Sequence, residues 1–285
     1  MRFKLTIIIS FFSILLLFQR CNNDPLSDNS YFGTKVMIIG HRGFSTKYLK
    51  NPGNTIETAL ISTNIGADGC EFDVQITKDT VLVLFHDFDL HPMTTGNGKV
   101  YNYTWEEIKT FKYYPFENNI YINRADSVFS QIPNIQNYYF SFDCKVDLEN
   151  EDLNQYEAKL ARAIQRLCEQ YHITQHVFIE GSEDFLLTAK RIGLKNKMFW
   201  MQEPTEENVQ IAVNDSFFGF SCQLKNEILN TKIAHKKGLR IMAYSPKNFY
   251  ENKLALKSNV DIIQSDDPIS ILKYLNRYNY NYIIP

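Results

Sequence analysis

The sequence predicts an α/β fold, a (β/α)8 barrel that carries a small loop insertion after its second strand. Three observations lead there. Strand-like apolar runs alternate with helical stretches almost throughout the 285 residues, the mark of parallel strands joined by crossover helices. The units number about eight, in a length at which such a sheet closes on itself. A single segment of about thirty residues breaks the alternation, too long for an ordinary connection in a compact domain. An open doubly wound sheet is the competing arrangement.

The N-terminus stands outside the fold. Arg2 and Lys4 precede the apolar run Leu5 to Phe18, too short for a comfortable membrane span and built like an export leader. Residues 1–20 are therefore expected to be a signal peptide and 21–34 a polar tether, "CNNDPLSDNS" supplying most of it. Cys21 directly follows the leader and resembles the acylated cysteine of a bacterial lipoprotein, although Arg20 stands where such signals usually carry a small residue. The expected location is exported and membrane-anchored, in the periplasm or at the cell surface.

The domain itself is expected over residues 35–285. Its first unit is "KVMIIG" with "TIETALISTNIG"; the second strand is "GCEFDVQIT", followed by the insertion at about 88–120 and a short helix at Ala125 to Gln131. Then come "YYFSFDCK" with "EDLNQYEAKLARAIQRLCEQYH", "HVFIEG" with "EDFLLTAKRIG", and "KMFWMQ" with "TEENVQIAV". The series closes with "FFGFSC" and "NEILNTKIAHKKG", "LRIMAYS" and "ENKLALKSN", "VDIIQS" and "DPISILKYLNRY".

Formal charge is −2, and removing Arg2, Lys4 and Arg20 with the leader leaves 27 basic residues against 32 acidic, or −5. That balance argues against nucleic acid as a partner. Cys70, Cys144, Cys168 and Cys222 show no metal-ligand spacing and are expected to be small buried hydrophobes. His91, His172, His176 and His235 lack acidic partners at useful spacing and are expected at the surface or in caps.

Chemistry concentrates at strand ends. Side chains two apart in a strand share a face, so Glu71 and Asp73 point one way in "CEFDVQ", and Asp143 and Lys145 do so in "FDCK". The alternate apolar residues would meet the helices. Three carboxylates aimed into a barrel repel one another and lose hydration, and a hard divalent cation with oxygen ligands would neutralise them. A hairpin centred on Lys78-Asp79 pairs residue 77 with 80, 75 with 82 and 71 with 86, bringing His86 opposite Glu71. His41 and Arg42 end the neighbouring first strand. Two histidines, an arginine, a lysine and three acids thus converge at the C-terminal rim, where such barrels hold their active sites. Two histidines can exchange protons near neutral pH while cationic groups stabilise charge on phosphate oxygens.

"GHRG", "PGNTIETA", "GADGCEFDVQITKDTVLVLFHD" and "TTGNGKVYNYTWEEI" resemble the glycerophosphodiester phosphodiesterases, metal-dependent TIM-barrel enzymes that cut glycerophosphodiesters to glycerol 3-phosphate and an alcohol. The resemblance is dense from about Ile38 to Ile108 and echoes later at "FDCK", "GLRIMAYSPKN" and "VDIIQSDDP". It implies that His41 and His86 are the catalytic acid–base pair. Arg42 and Lys145 would hold phosphate, while Glu71, Asp73 and Asp143 would bind one divalent cation, Ca²⁺ or Mg²⁺. Asn54 and Tyr244 would line the substrate pocket. The sequence departs from the family at Gly53, where a glutamate is usual, at Asp143, often a glutamate, and at Tyr244, often a tryptophan. Two other readings stay open: a metal-independent phosphoinositide-cleaving barrel, which has no need of the acidic set, and a non-catalytic exported binding lipoprotein.

Overall fold

The structure is a computed structural model that describes residues 28–44, 51–116, 119–147, 149, 152–224 and 229–285. The expected signal peptide, Cys21 and half of the expected tether, residues 21–27, lie outside them. Residues 28–36 turn back on themselves, with the Val36 amide bonded to the Asp28 carbonyl at 2.6 Å, and feed into β1 (Met37–Gly40).

Eight parallel strands close a barrel. β1 pairs with β2 (Gly69–Ile76) on one side and with β10 (Ile262–Ser265) on the other. Between them run β5 (Tyr139–Cys144), β6 (Val177–Gly181), β7 (Lys197–Trp200), β8 (Gly219–Gln223) and β9 (Arg240–Tyr244). The expected barrel is therefore present and the doubly wound alternative is not. Two further strands extend from β2: β3 (Leu82–Leu84) pairs antiparallel with β2, and β4 (Asn123–Arg124) pairs antiparallel with β3.

Each barrel strand leads into a helix: α1 (Ile56–Asn64), α3 (Ala125–Phe129), α4 (Leu153–Gln170), α5 (Glu183–Ile192), α6 (Glu206–Asn214), α7 (Lys232–His235), α8 (Phe249–Lys257) and α9 (Pro268–Tyr274). The insertion adds α2 (Trp105–Ile108). Local chemistry sets their ends. Ser182 caps α5 by accepting from the Phe185 amide, acids fill its first turn, and Gly193 closes it at φ 97°, a conformation glycine adopts without a Cβ penalty. In α9, Asp267 caps and Pro268 opens the helix. Of "NEILNTKIAHKKG", only Lys232–His235 is described as helix.

Two apolar layers separate the inside from the outside. Cys70, Phe72 and Val74 of β2 and Phe140, Phe142 and Cys144 of β5 pack outward with Leu160 and Ile164 of α4. Ile39, Phe178, Phe199, Met242 and Ile262 form a separate cluster. The remaining inward positions of β2 and β5 carry Glu71, Asp73, Ser141 and Asp143, the polarity alternation expected of them. Cys70, Cys144, Cys168 and Cys222 are buried; burial pushes the Cys70 and Cys168 thiols up to about 12, which keeps them protonated and inert.

The hairpin register corrects the expected one by a residue. Ile76 pairs with Leu82, Gln75 with Val83 and Val74 with Leu84, and the Thr77 amide bonds to the Val81 carbonyl, so residue 71 does not face His86. The turn holds Lys78, Asp79 and Thr80, the last at φ 64°. That left-handed position carries a β-branched residue instead of glycine, leaving no sign of it in the sequence. The insertion is also more than a loop. Val83, Phe85, Leu90, Val100, Ile108, Tyr113 and Ile122 bury together as a core of their own.

Candidate active site

The site begins with the turn after β1. A Cβ on Gly40 would run into the Gly43 carbonyl, so only glycine lets the chain bend sharply as it leaves the strand. Arg42 sits at φ 53°, a costly conformation for a side-chain-bearing residue. Three bonds hold it there. Its amide donates to Glu71 Oε2 at 2.7 Å, and its carbonyl accepts from the Asn54 amide at 2.9 Å and from Thr58 Oγ1 at 3.2 Å. The turn aims the histidine and the arginine that follow this buried strand back over the barrel mouth.

Glu71 and Asp73, each 1 % exposed, face inward from β2 beside Asp143 of β5, the Asp73 and Asp143 positions being in register. One oxygen from each of these three carboxylates lies within 4.8 Å of the others. Lys145 Nζ reaches Asp73 Oδ1 at 3.0 Å and Asp143 Oδ2 at 2.5 Å. Arg42 Nε stands 3.3 Å from Asp73 Oδ2, and the same oxygen accepts from Asn54 Nδ2 at 2.7 Å.

These neighbours divide the two β2 acids. Burial and the charges of Asp73, Asp143 and Glu180 push Glu71 well above the usual carboxylate range, against the opposing hydrogen bond from Arg42. Burial acts the same way on Asp73, but Lys145, Arg42, His86 and His41 outweigh it and hold that carboxyl well below its ordinary value. Lys145 is correspondingly raised: desolvation opposes its charge, and Asp73 and Asp143 overcome that.

Two histidines flank the acids. His41 Nδ1 meets Asp266 Oδ1 at 2.7 Å, and its Nε2 lies 3.7 Å from Glu71 Oε2. His86 Nδ1 meets Asp87 Oδ1 at 2.5 Å, with its side chain 40 % exposed at the rim. An ionised carboxylate accepts only, so each aspartate selects the tautomer with the proton on Nδ1 and leaves Nε2 free to take or give one.

The model of the glycerophosphoryl diester phosphodiesterase family matches residues 41–270, from His41 to just beyond Asp266. The chain belongs to that family. A glycerophosphodiester phosphodiesterase of Caldanaerobacter subterraneus subsp. tengcongensis is 45 % identical over 75 residues, 26 % of this chain and 30 % of that protein, so the match spans less than a third of the relative. Among solved structures, a glycerophosphodiester phosphodiesterase from Parabacteroides distasonis superposes with TM-score 0.71 at 20 % identity, covering 84 % of this chain and 96 % of its own. An Oleispira antarctica phosphodiesterase in complex with the product sn-glycerol-3-phosphate does so with TM-score 0.69 at 18 % identity, covering 84 % and 96 %. These likenesses show the fold.

The cluster of this glycerophosphoryl diester phosphodiesterase family member fits a hard cation. Glu71 Oε1 is buried without a hydrogen-bond partner among the described residues, and every candidate ligand is a carboxylate oxygen. Asn54, expected in the substrate pocket, is 3 % exposed and holds Asp73 instead, its Oδ1 accepting the Asp73 amide at 3.0 Å. Tyr244 does line a cavity of about 180 Å³ at the ends of β7, β8 and β9, with Gln202, Glu203 and Gln223. His235 is not a surface residue: it is 3 % exposed and meets Asp261 at 2.9 Å.

Three further residues contribute to the site. Asp87 adjoins a residue already singled out. Asp266 lies in "QSDDP", directly after a predicted strand, and that position was the available signal. Glu180 sits inside the barrel, bonded to Ser141 at 2.5 Å and to Ser221 and Gln264. Burial and Asp143 raise it above its ordinary value.

Proposed function

We propose that this protein hydrolyses glycerophosphodiesters to glycerol 3-phosphate and an alcohol, with His41 and His86 as the acid–base pair. The observation that carries the reading is the pairing of each histidine with a carboxylate on Nδ1, on the two flanks of the Glu71, Asp73 and Asp143 cluster. In this mechanism one histidine takes the proton of a glycerol hydroxyl as its oxygen attacks phosphorus, and the other gives a proton to the departing alcohol. A cyclic phosphate results. Water then opens it, with the two histidines exchanging roles, and glycerol 3-phosphate leaves.

Arg42 and Lys145 hold the phosphate oxygens, and Glu71, Asp73 and Asp143 would hold one Ca²⁺ or Mg²⁺. The bound ion would stabilise negative charge on the phosphoryl oxygens. The cavity beside Tyr244 is the candidate receptor for one end of the substrate. The leader and Cys21 support an exported, lipid-anchored enzyme, which would meet glycerophosphodiesters where deacylated lipid head groups are released.

The test is release of glycerol 3-phosphate from a panel of glycerophosphodiesters with and without chelator. Turnover that chelation abolishes is the expected result. Full activity after exhaustive chelation would favour the metal-independent phosphoinositide-cleaving reading, against which the buried acidic set argues. No turnover on any substrate, with metal supplied, would favour the binding lipoprotein.

A further inference from the structure

The end of the barrel opposite the catalytic mouth has a character of its own. Parallel strands all begin there, so every connection from a helix into a strand lies on that face. Lys35 enters β1, Lys195 and Lys197 enter β7, and Lys236, Lys237 and Arg240 enter β9. Lys35, Lys195, Lys236 and Lys237 are exposed. Two acids on this face are already engaged: Asp68 pairs with Arg277, and Asp261 is buried against His235. Asp28, Glu169 and Asp215 remain against the six cations, so the face is net positive on a protein whose total charge is −2.

Apolar and aromatic groups stand among those lysines. Tyr31 is 48 % exposed and stacks on His235 at 4.5 Å between ring centroids, while Phe32 lies over the Arg240 guanidinium. The C-terminal tail reaches the same end, because the Asn279 amide bonds to the Ile65 carbonyl at the close of α1. It presents Tyr280 and Ile283, 73 % and 87 % exposed. A cavity of about 260 Å³ opens between Lys190, Lys195, Lys197 and Phe218. Lysines interleaved with tyrosines and an aliphatic side chain match the interface of an anionic bilayer, where ammonium groups meet phosphates and aromatic rings sit at head-group depth.

We propose that this face docks on an anionic lipid surface, turning the catalytic mouth toward solution. The path of the chain agrees: the described residues begin at Asp28 on this face, directly after the part of the sequence that carries the leader and Cys21. The arrangement makes the substrate a soluble diester arriving from the aqueous side and not a lipid lying in the membrane. It needs neither the acid–base assignment nor acylation of Cys21.

The test uses the full chain with vesicles of phosphatidylcholine alone or with 30 % phosphatidylglycerol. A combined K195E/K197E/K236E/K237E variant should partition about a hundredfold more weakly onto the anionic vesicles, with binding to the neutral ones unchanged, because Tyr31, Tyr280 and Ile283 remain on the face. The corresponding Lys→Arg variant should bind as the wild type does, which separates charge from loss of folding. Hydrogen exchange on bound protein should slow at 193–197 and 236–239 and not at the mouth connection 245–248. A fall of less than about threefold in the charge-reversed variant, or protection at the mouth, would overturn the proposal.

Discussion

A histidine serves as an acid or base only when its surroundings fix which nitrogen carries the proton, and in this site a carboxylate does so for each. His41→Ala and His86→Ala should each lower glycerol 3-phosphate release by roughly 10² to 10⁴ while circular dichroism and substrate binding persist. Asp266→Asn should lower kcat by roughly 10- to 100-fold with little change in KM, as expected for a residue that orients a reacting group; an unchanged kcat would remove Asp266 from that role. Glu71, Asp73, Asp143 and Lys145 were legible because a period of two sorts charged from apolar residues within one short strand. Asp266 was not, since it lies 225 positions from His41 and only closure of the barrel brings its strand beside β1. The bond between Asn54 and Asp73 was not legible, because the two lie 19 positions apart and meet only through the fold.

At the scale of elements, the sequence spoke clearly wherever local chemistry decides the outcome. Ser182 and Gly193 bracket α5, and Asp267-Pro268 opens α9, through groups that act within a turn of themselves. The insertion was obscure for the opposite reason. Leu90, Val100, Ile108, Tyr113 and Ile122 follow neither helical nor strand period, yet they meet in three dimensions around Phe85. Ile108 is fully buried there, and Ile108→Ala should destabilise the protein by about 2–5 kcal/mol in urea unfolding. Since Phe85 immediately precedes His86, activity should fall with it. A loss below about 1 kcal/mol would mean that the insertion opens independently of the barrel.

For the molecule as a whole, closing eight strands has an electrostatic consequence. The barrel gathers Glu71, Asp73, Asp143 and Glu180 at one end of its interior, with Lys145 and Arg42 as the nearby permanent cations. Burial and mutual repulsion raise both Glu71 and Glu180 in the folded protein. Groups raised in this way contribute stability below their unfolded values, near pH 4, and that contribution is lost as pH rises through their folded values. Asp73, lowered in the folded state, contributes above its unfolded value and stays constant from pH 6 to 8. The metal-free protein should therefore lose thermal stability as pH rises above the ordinary carboxylate range. A divalent cation that binds Glu71 takes the place of the proton, so its stabilisation should grow across the same interval. At an ion concentration about a hundred times Kd the gain is about 2.7 kcal/mol, which for a domain of this size raises Tm by roughly 5–10 °C. Thermal melts with Ca²⁺, with Mg²⁺ and with chelator at pH 6 and pH 8 measure this directly and do not depend on turnover. Equal melting temperatures with ion and with chelator at pH 8 would show that Lys145 and Arg42 already neutralise the cluster, leaving no place for a cation.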